Sequence, residues 1–194
     1  MKYTSIRLIR EEHRSIAVVL HAAEYVVGKA VSTGTPPDFK LLRAMLHYMR
    51  EFPERRHHPN EDRVIFARIK ARTREADAAI AELEDEHRHG ERMLQSLSVA
   101  LENWQAGEAD SRLFAQLLLT FASFYQAHME KEETSVLPAA ERSLSNEDWH
   151  EIHAAFESHE DPLFGDDTAN EFRNLFSRII LLAPPPNGSG DLKE

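Results

Sequence analysis

Residues 51–66, Glu51-Phe52-Pro53-Glu54-Arg55-Arg56-His57-His58-Pro59-Asn60-Glu61-Asp62-Arg63-Val64-Ile65-Phe66, decide how this chain folds. A later stretch repeats their pattern: Phe124-Tyr125-Gln126-Ala127-His128-Met129-Glu130-Lys131-Glu132-Glu133-Thr134-Ser135-Val136-Leu137-Pro138. Both run His, three residues, Glu, a second acid, two residues, two apolars. On a helix, residues four apart lie one above the other on a single face. Each stretch therefore aims an imidazole and a carboxylate at one point, and two such pairs facing each other make a metal site.

Working outward, the flanking segments carry helical seams. Ile6, Ile9, His13, Ile16, Leu20, Ala23 and Val27 recur at steps of three and four, which predicts a long helix over about 5–31. Thr33-Gly34-Thr35-Pro36-Pro37 stops it, and Asp38 is placed to cap the next helix. Leu42, Met45, Met49 and Phe52 lead into the opening stretch, where Pro53 and Pro59 predict a kinked or locally irregular helix reaching about residue 70. A third seam follows Arg72-Thr73-Arg74: Ile80, Leu83, His87, Gly90, Leu94, Leu97, Leu101 and Trp104. An inward glycine costs about 1 kcal/mol of helix propensity, so Gly90 is expected to leave space beside a buried group. After Ala106-Gly107-Glu108-Ala109-Asp110, a fourth seam runs Phe114, Leu118, Phe121, Tyr125, His128, Glu132 and Ser135, ending near Pro138.

Four long helices joined by short loops predict an all-α, antiparallel up-down four-helix bundle. The expected organisation is a bundle over residues 1–140, a C-terminal helical extension over 141–183 packed on the same domain, and a disordered tail over 184–194. Within the extension, Ser145-Asn146-Glu147-Asp148 signals a helix start, Asp161-Pro162-Leu163-Phe164-Gly165 a turn, and Phe172, Leu175, Phe176 and Ile179 one side of a last helix.

The chain of 194 residues, 42% hydrophobic, is long enough for one buried core. Its net charge of -10 argues against nucleic acid and anionic membrane surfaces as partners. No cysteine means that any metal must be held by nitrogen and oxygen. The first residues turn charged and amphipathic at once, and no apolar run suggests a membrane span, so the reading is a cytoplasmic protein.

Antiparallel neighbours allow depth to be counted from one end of the bundle. His13, His57, Glu61, His87, His128 and Glu132 then fall within roughly 12 Å along the axis at the helical rise per residue. A lone seam histidine is more often a hydrogen-bonded core residue than a ligand. Four histidines and two carboxylates on one level reverse that, since without a metal many buried polar groups would need other partners. His21 and His47 miss the layer, His89 faces away, and His150, His153 and His159 lie outside the core. His58 and Asp62 have the same spacing as His57 and Glu61; matching Phe66 to Leu137 favours His57 and Glu61.

These residues resemble the bacterial hemerythrin-like proteins, the HHE cation-binding family. The likeness lies in Glu12-His13, the stretch from His57 to Glu61, Leu83-Glu84-Asp85-Glu86-His87, and His128-Met129-Glu130-Lys131-Glu132-Glu133, over about residues 5–140. The resemblance implies a non-haem di-iron centre, with zinc or manganese as substitutes. His13, His57, His87 and His128 would be terminal ligands, and Glu61 and Glu132 bridges. Oxygen carriers of the family have a further histidine where this chain has Glu91, which leaves Glu91 as a ligand or as an acceptor holding His87. They also place an aspartate five residues after the fourth-helix histidine, where this chain has Glu133 and offers Glu132 at four.

The expected function is a di-iron binding protein that senses, stores or delivers O2, NO, peroxide or iron. Its partners would be a small diatomic ligand or peroxide and, in one arrangement, a second copy of the chain as a homodimer. The alternatives are a di-iron redox enzyme turning over peroxide or NO, a ferritin-like di-iron carboxylate protein using Glu54 with His57 and Glu84 with His87, or a metal-free scaffold.

Overall fold

The computed structural model describes residues 1–157 together with Leu175, Ser177 and Ile179, and among these it is all-helical. Helix α1, Lys2–Thr33, ends at Gly34, whose φ of 69° is open to glycine and strained for other residues. Helix α2 runs unbroken over residues 39–72, with Asp38 accepting from the Leu41 amide at 2.9 Å as the expected cap. Helix α3 is Asp77–Ala106, closed by Gly107 at φ 77°. Helix α4 spans residues 111–143, and α5 is Asn146–Glu157. At the start of α5, Asp148 accepts from the Ser145 amide (2.9 Å) while Ser145 Oγ accepts from the Asp148 amide (3.2 Å), the reciprocal cap expected there.

Rods α1 and α3 each pack against both α2 and α4, and α5 lies across α1 and the C-terminal half of α2. Nearly every seam residue is buried as its periodicity demands, each large apolar side chain contributing about 1.5–3 kcal/mol. The apolar residues form two clusters. One holds Ile16, Leu20, Met45, Phe52, Leu97 and Phe121; the other holds Ile6, Ile9, Phe66, Ile80, Leu137 and Trp149. On each of the four long rods the polar seam residues fall between the two clusters, so one layer of histidines and carboxylates is sealed from both ends.

Around Pro53 and Pro59 the helix is locally irregular, as expected, and the irregularity takes a particular form. Residues Arg50–His57, Glu61–Phe66 and Glu132–Val136 are wound as π-helix, five residues to a hydrogen bond. Pro53 has no N–H to give, and its own carbonyl accepts from the His58 amide five residues on. The Leu137 amide likewise reaches back to Glu132, so Pro138 falls in the first turn of a renewed α-helix. That placement lets α4 continue to Ser143 rather than end near Pro138. The extra residue in the wide turn also moves the inward position from Ser135, which is exposed, to Val136, which is buried.

Helix α1 departs from another expectation, since by length and composition it is apolar enough to cross a membrane, with a window of mean hydropathy 1.3. Closely spaced alanines and valines raise that mean. The helix is nonetheless two-faced, with Ile16, Val19, Ala23 and Val27 buried and His21, Gly28 and Lys29 exposed. The expected turn at 161–165 and the tail lie outside the described residues. Of the expected last helix, Leu175 and Ile179 are helical and buried in the first cluster.

Candidate metal centre

The periodicity of each seam delivers its polar residues to the same layer. His13, His57, Glu61, His87, His128 and Glu132 are all buried, and so is His58. Their ligand atoms sort into two groups, each within 4.8 Å throughout: His58, Glu61, His87 and His128 in one; His13, His57, Glu61 and Glu132 in the other. The two repeated stretches present the same local geometry. His57 Nε2 lies 3.3 Å from Glu61 Oε1, and His128 Nε2 lies 3.3 Å from Glu132 Oε1.

Each carboxylate divides its oxygens between the groups. Glu61 turns Oε1 to His57 and to His13 (3.8 Å) and Oε2 to His87 (3.6 Å). Glu132 turns Oε2 to His13 (3.2 Å) and Oε1 to His128 and His87 (3.8 Å). None of Glu61 Oε2, Glu132 Oε1, Glu132 Oε2 or His13 Nε2 has a hydrogen bond of acceptable geometry. Four orphaned buried atoms in one layer cost several kcal/mol unless something bridges them.

The opposite edge of each ring explains which nitrogen faces inward. A carboxylate can only accept, so Nδ1 carries the proton where it meets one. Glu12 on α1 accepts from His57 Nδ1 (2.6 Å), and Asp62 on α2 accepts from His87 Nδ1 (2.9 Å). Glu86 on α3 accepts from His128 Nδ1 (2.9 Å), and Glu133 on α4 accepts from His13 Nδ1 (2.9 Å). Each rod thus supplies the acid for the next rod's histidine, closing a ring α1 to α2 to α3 to α4 to α1. Every Nε2 lone pair is thereby directed into the layer, as an imidazole ligand requires. His87 and His128 even meet Nε2 to Nε2 at 3.2 Å, a repulsive contact for two such lone pairs unless a cation or a proton lies between.

Without a metal, protons take that place. Burial pulls His13, His57, His87 and His128 down, but the surrounding carboxylates outweigh it: His57 is pushed up to about 9, His87 to about 10, His13 well above its usual range, and His128 upward. Burial pushes Glu61 and Glu132 up, and the neighbouring imidazoles bring both to below the ordinary carboxylate value. His58 is the exception. Burial and the charges on His87 and His128 hold it well below its ordinary value, a neutral imidazole as coordination needs.

The structure brings both His57 and His58 inward, each to a different group. The His58 ring stacks on His87 with centroids 4.2 Å apart. Its Nδ1 has no hydrogen bond; Glu54 Oε2 lies 3.6 Å away and Tyr125 donates its hydroxyl to Glu54 Oε1. Gly90 makes room for that pair, since a Cβ there would sit 3.1 Å from Glu54 Oε1. Glu91 takes neither role considered for it: it is exposed, and Asp62 occupies its expected place at His87 Nδ1. Glu84 points to Lys70 (2.5 Å), which leaves the ferritin-like spacing without its second carboxylate. His21, His47, His89 and His150 are exposed, and His159 lies outside the described residues.

Sequence reasoning did not assign the ring of acids, although a signal was present. Glu12 and Glu86 directly precede His13 and His87, and Asp62 and Glu133 directly follow Glu61 and Glu132. Donor chemistry of imidazole and carboxylate, without sulfur, fits iron, zinc or manganese.

The family model described as hemerythrin HHE cation binding domain matches residues 4–140. No curated protein and no solved structure is significantly similar to the chain.

Proposed function

From its membership in the hemerythrin HHE cation-binding family, to which this chain belongs, we propose that it is a non-haem di-iron binding protein that senses, stores or delivers O2, NO, peroxide or iron. The observation that carries this reading is the split of Glu61 and Glu132, each with one oxygen toward either histidine group. Carboxylates so placed hold two cations about 3.5–4 Å apart in two-metal sites. His58, His87 and His128 would hold one ion, and His13 and His57 the other. His13 and His57 offer one imidazole fewer than the other group, which would leave room for a small ligand there. When bound, iron would supply a redox-active Lewis-acid centre for diatomic ligands or peroxide. The same reading arranges α1 to α4 as an antiparallel up-down four-helix bundle, the neighbour order that the ring of acids follows.

The chain's own part is positioning. The four outer acids fix the rings, the two apolar clusters keep the layer dry, and the bridging carboxylates neutralise the cations. A di-iron redox enzyme is the second reading, favoured by one feature: Tyr125, fully buried, donates its hydroxyl to Glu54 beside His58.

Metal analysis and the optical spectrum of protein made in iron-rich medium test the proposal. Two equivalents of iron and a spectrum that changes reversibly between air and an oxygen-free atmosphere are expected; continuous peroxide consumption would favour the enzyme. Replacing His57 and His128 together with alanine should abolish binding of the pair of ions, and retention of two equivalents overturns the assignment.

A further inference from the structure

Helix α5 lies beyond the family-matched residues, yet it touches the metal layer. Phe156, 2% exposed, sets its ring edge-on to the His57 imidazole, with centroids 6.0 Å apart and planes at 87°. Three polar ties from α2 fix the helix there. Asn60, the residue before Glu61, donates from Nδ2 to the Ala155 carbonyl at 3.3 Å; Arg68 bonds Glu151; Arg72 holds Asp148 at 3.0 Å. Trp149 and Ile152 anchor the same helix in the apolar cluster with Ile6, Ile9 and Phe66.

The placement matters because the two ends of the layer are unequally filled. His57 belongs to the end with two imidazoles. Its other ring neighbours are His13 (5.1 Å), His58 (5.6 Å) and Phe52 (6.3 Å): two members of the layer and one residue of its own rod. Among the described residues, Phe156 is the ring brought to it from outside the four long rods. An interior packed to crystal density admits a ligand only where a side chain yields, so an apolar ring at this place rejects water and bulky polar groups more strongly than a slim diatomic.

We propose that α5 is a cover over the two-imidazole end of the centre and that Phe156 sets the size of the ligand admitted there. The inference rests on the di-metal reading above. Phe156 acts by occupying space and holds no proton or metal. Its substitution changes access to the ions and leaves their number intact.

The test uses the full chain loaded with iron, with azide and imidazole as small and bulky probes followed by absorbance. Phe156→Ala is expected to speed azide association by about tenfold or more and to admit imidazole, which the wild type excludes. Phe156→Leu, which keeps the core apolar, should fall between the two. Ile152→Ala, on the same helix but directed into the apolar cluster, should lower stability and leave both association rates unchanged. Equal rates in the wild type and both Phe156 variants, all retaining two equivalents of iron, overturn the cover. So does acceleration by Ile152→Ala equal to that of Phe156→Ala. A wild-type chain that takes up no metal removes the reading on which this inference rests, and the inference with it.

Discussion

The two ends of the histidine and carboxylate layer share both carboxylates but are held in different ways. At the His13 and His57 end, each imidazole is fastened from behind, His57 to Glu12 at 2.6 Å and His13 to Glu133 at 2.9 Å. At the other end, His87 and His128 are fastened equally well, while the third ring, His58, has no hydrogen bond on Nδ1. More donors, one of them placed by packing without a hydrogen bond, stand opposite fewer donors, each hydrogen-bonded. On the di-metal reading, the first arrangement fills a cation's coordination and the second leaves room for a ligand beside rigid groups. Number of donors and rigidity of donors are thus set separately in one layer.

The largest expected effect would erase the distinction between the ends. Glu132→Gln keeps the shape of the side chain but removes a charge that both ends use. The protein should lose both equivalents of metal, measured by elemental analysis after desalting; full retention refutes a shared carboxylate. His58→Ala should act on one end only, lowering the stoichiometry from two ions to one. If two ions remain with unchanged affinity, His58 is a packed core residue and the ends are equal.

The fastening acids should matter less than the ligands. Glu12→Gln and Glu133→Gln are each expected to weaken metal affinity by about 10–100-fold while preserving stoichiometry, because outer partners orient a ring without binding the ion. Competition with a chelator measures this, and an effect below twofold for both would show that packing alone orients the rings.

Protonation gives a test of the metal-free layer. Folding raises His57 from 6.5 to about 9 and His87 from 6.5 to about 10, so the folded chain binds more protons than the unfolded one in this window. Their contribution is fully present below pH 6.5 and is lost as pH rises through 9 and 10. The melting temperature of the metal-free protein should therefore fall across that range. Metal affinity should rise over the same range, since the ion displaces those protons. A metal-free melting temperature that climbs with pH would contradict the charged layer.

The smallest expected effect is Gly90→Ala. Helix propensity gains about 1 kcal/mol, and the crowding of Glu54 works against it, so the net change in stability should stay within about 1 kcal/mol. Calorimetry measures it; a loss of several kcal/mol would mean that the Tyr125 to Glu54 pair cannot shift.

Helical periodicity made much of this legible from residues alone. Ile9, His13 and Ile16 announce one face of α1, and His57 with Glu61 and His128 with Glu132 announce their shared direction, because positions three and four apart coincide on any helix. The course of α4 past Pro138 was not legible, nor the shift from Ser135 to Val136. A π-turn depends on which carbonyl is left free by a proline and on what the wider turn can pack against. Nor could residues alone decide between the two roles open to Glu91: one turn from His87 on its own helix, it yields the place at His87 Nδ1 to Asp62 of the neighbouring rod.

By itself the sequence determined the helical class and the inward faces, which follow from spacing within single helices, and, by counting depth along antiparallel neighbours, the six residues expected to meet in one layer. Only the tertiary structure decided that His58 joins them, that each outer acid serves the next rod's histidine, and that Phe156 lies against His57. Those contacts span from 25 residues, for Asp62 and His87, to 120, for His13 and Glu133. Their partners are set by the register between rods, which is fixed by how two apolar clusters pack and is written in no local stretch of the chain.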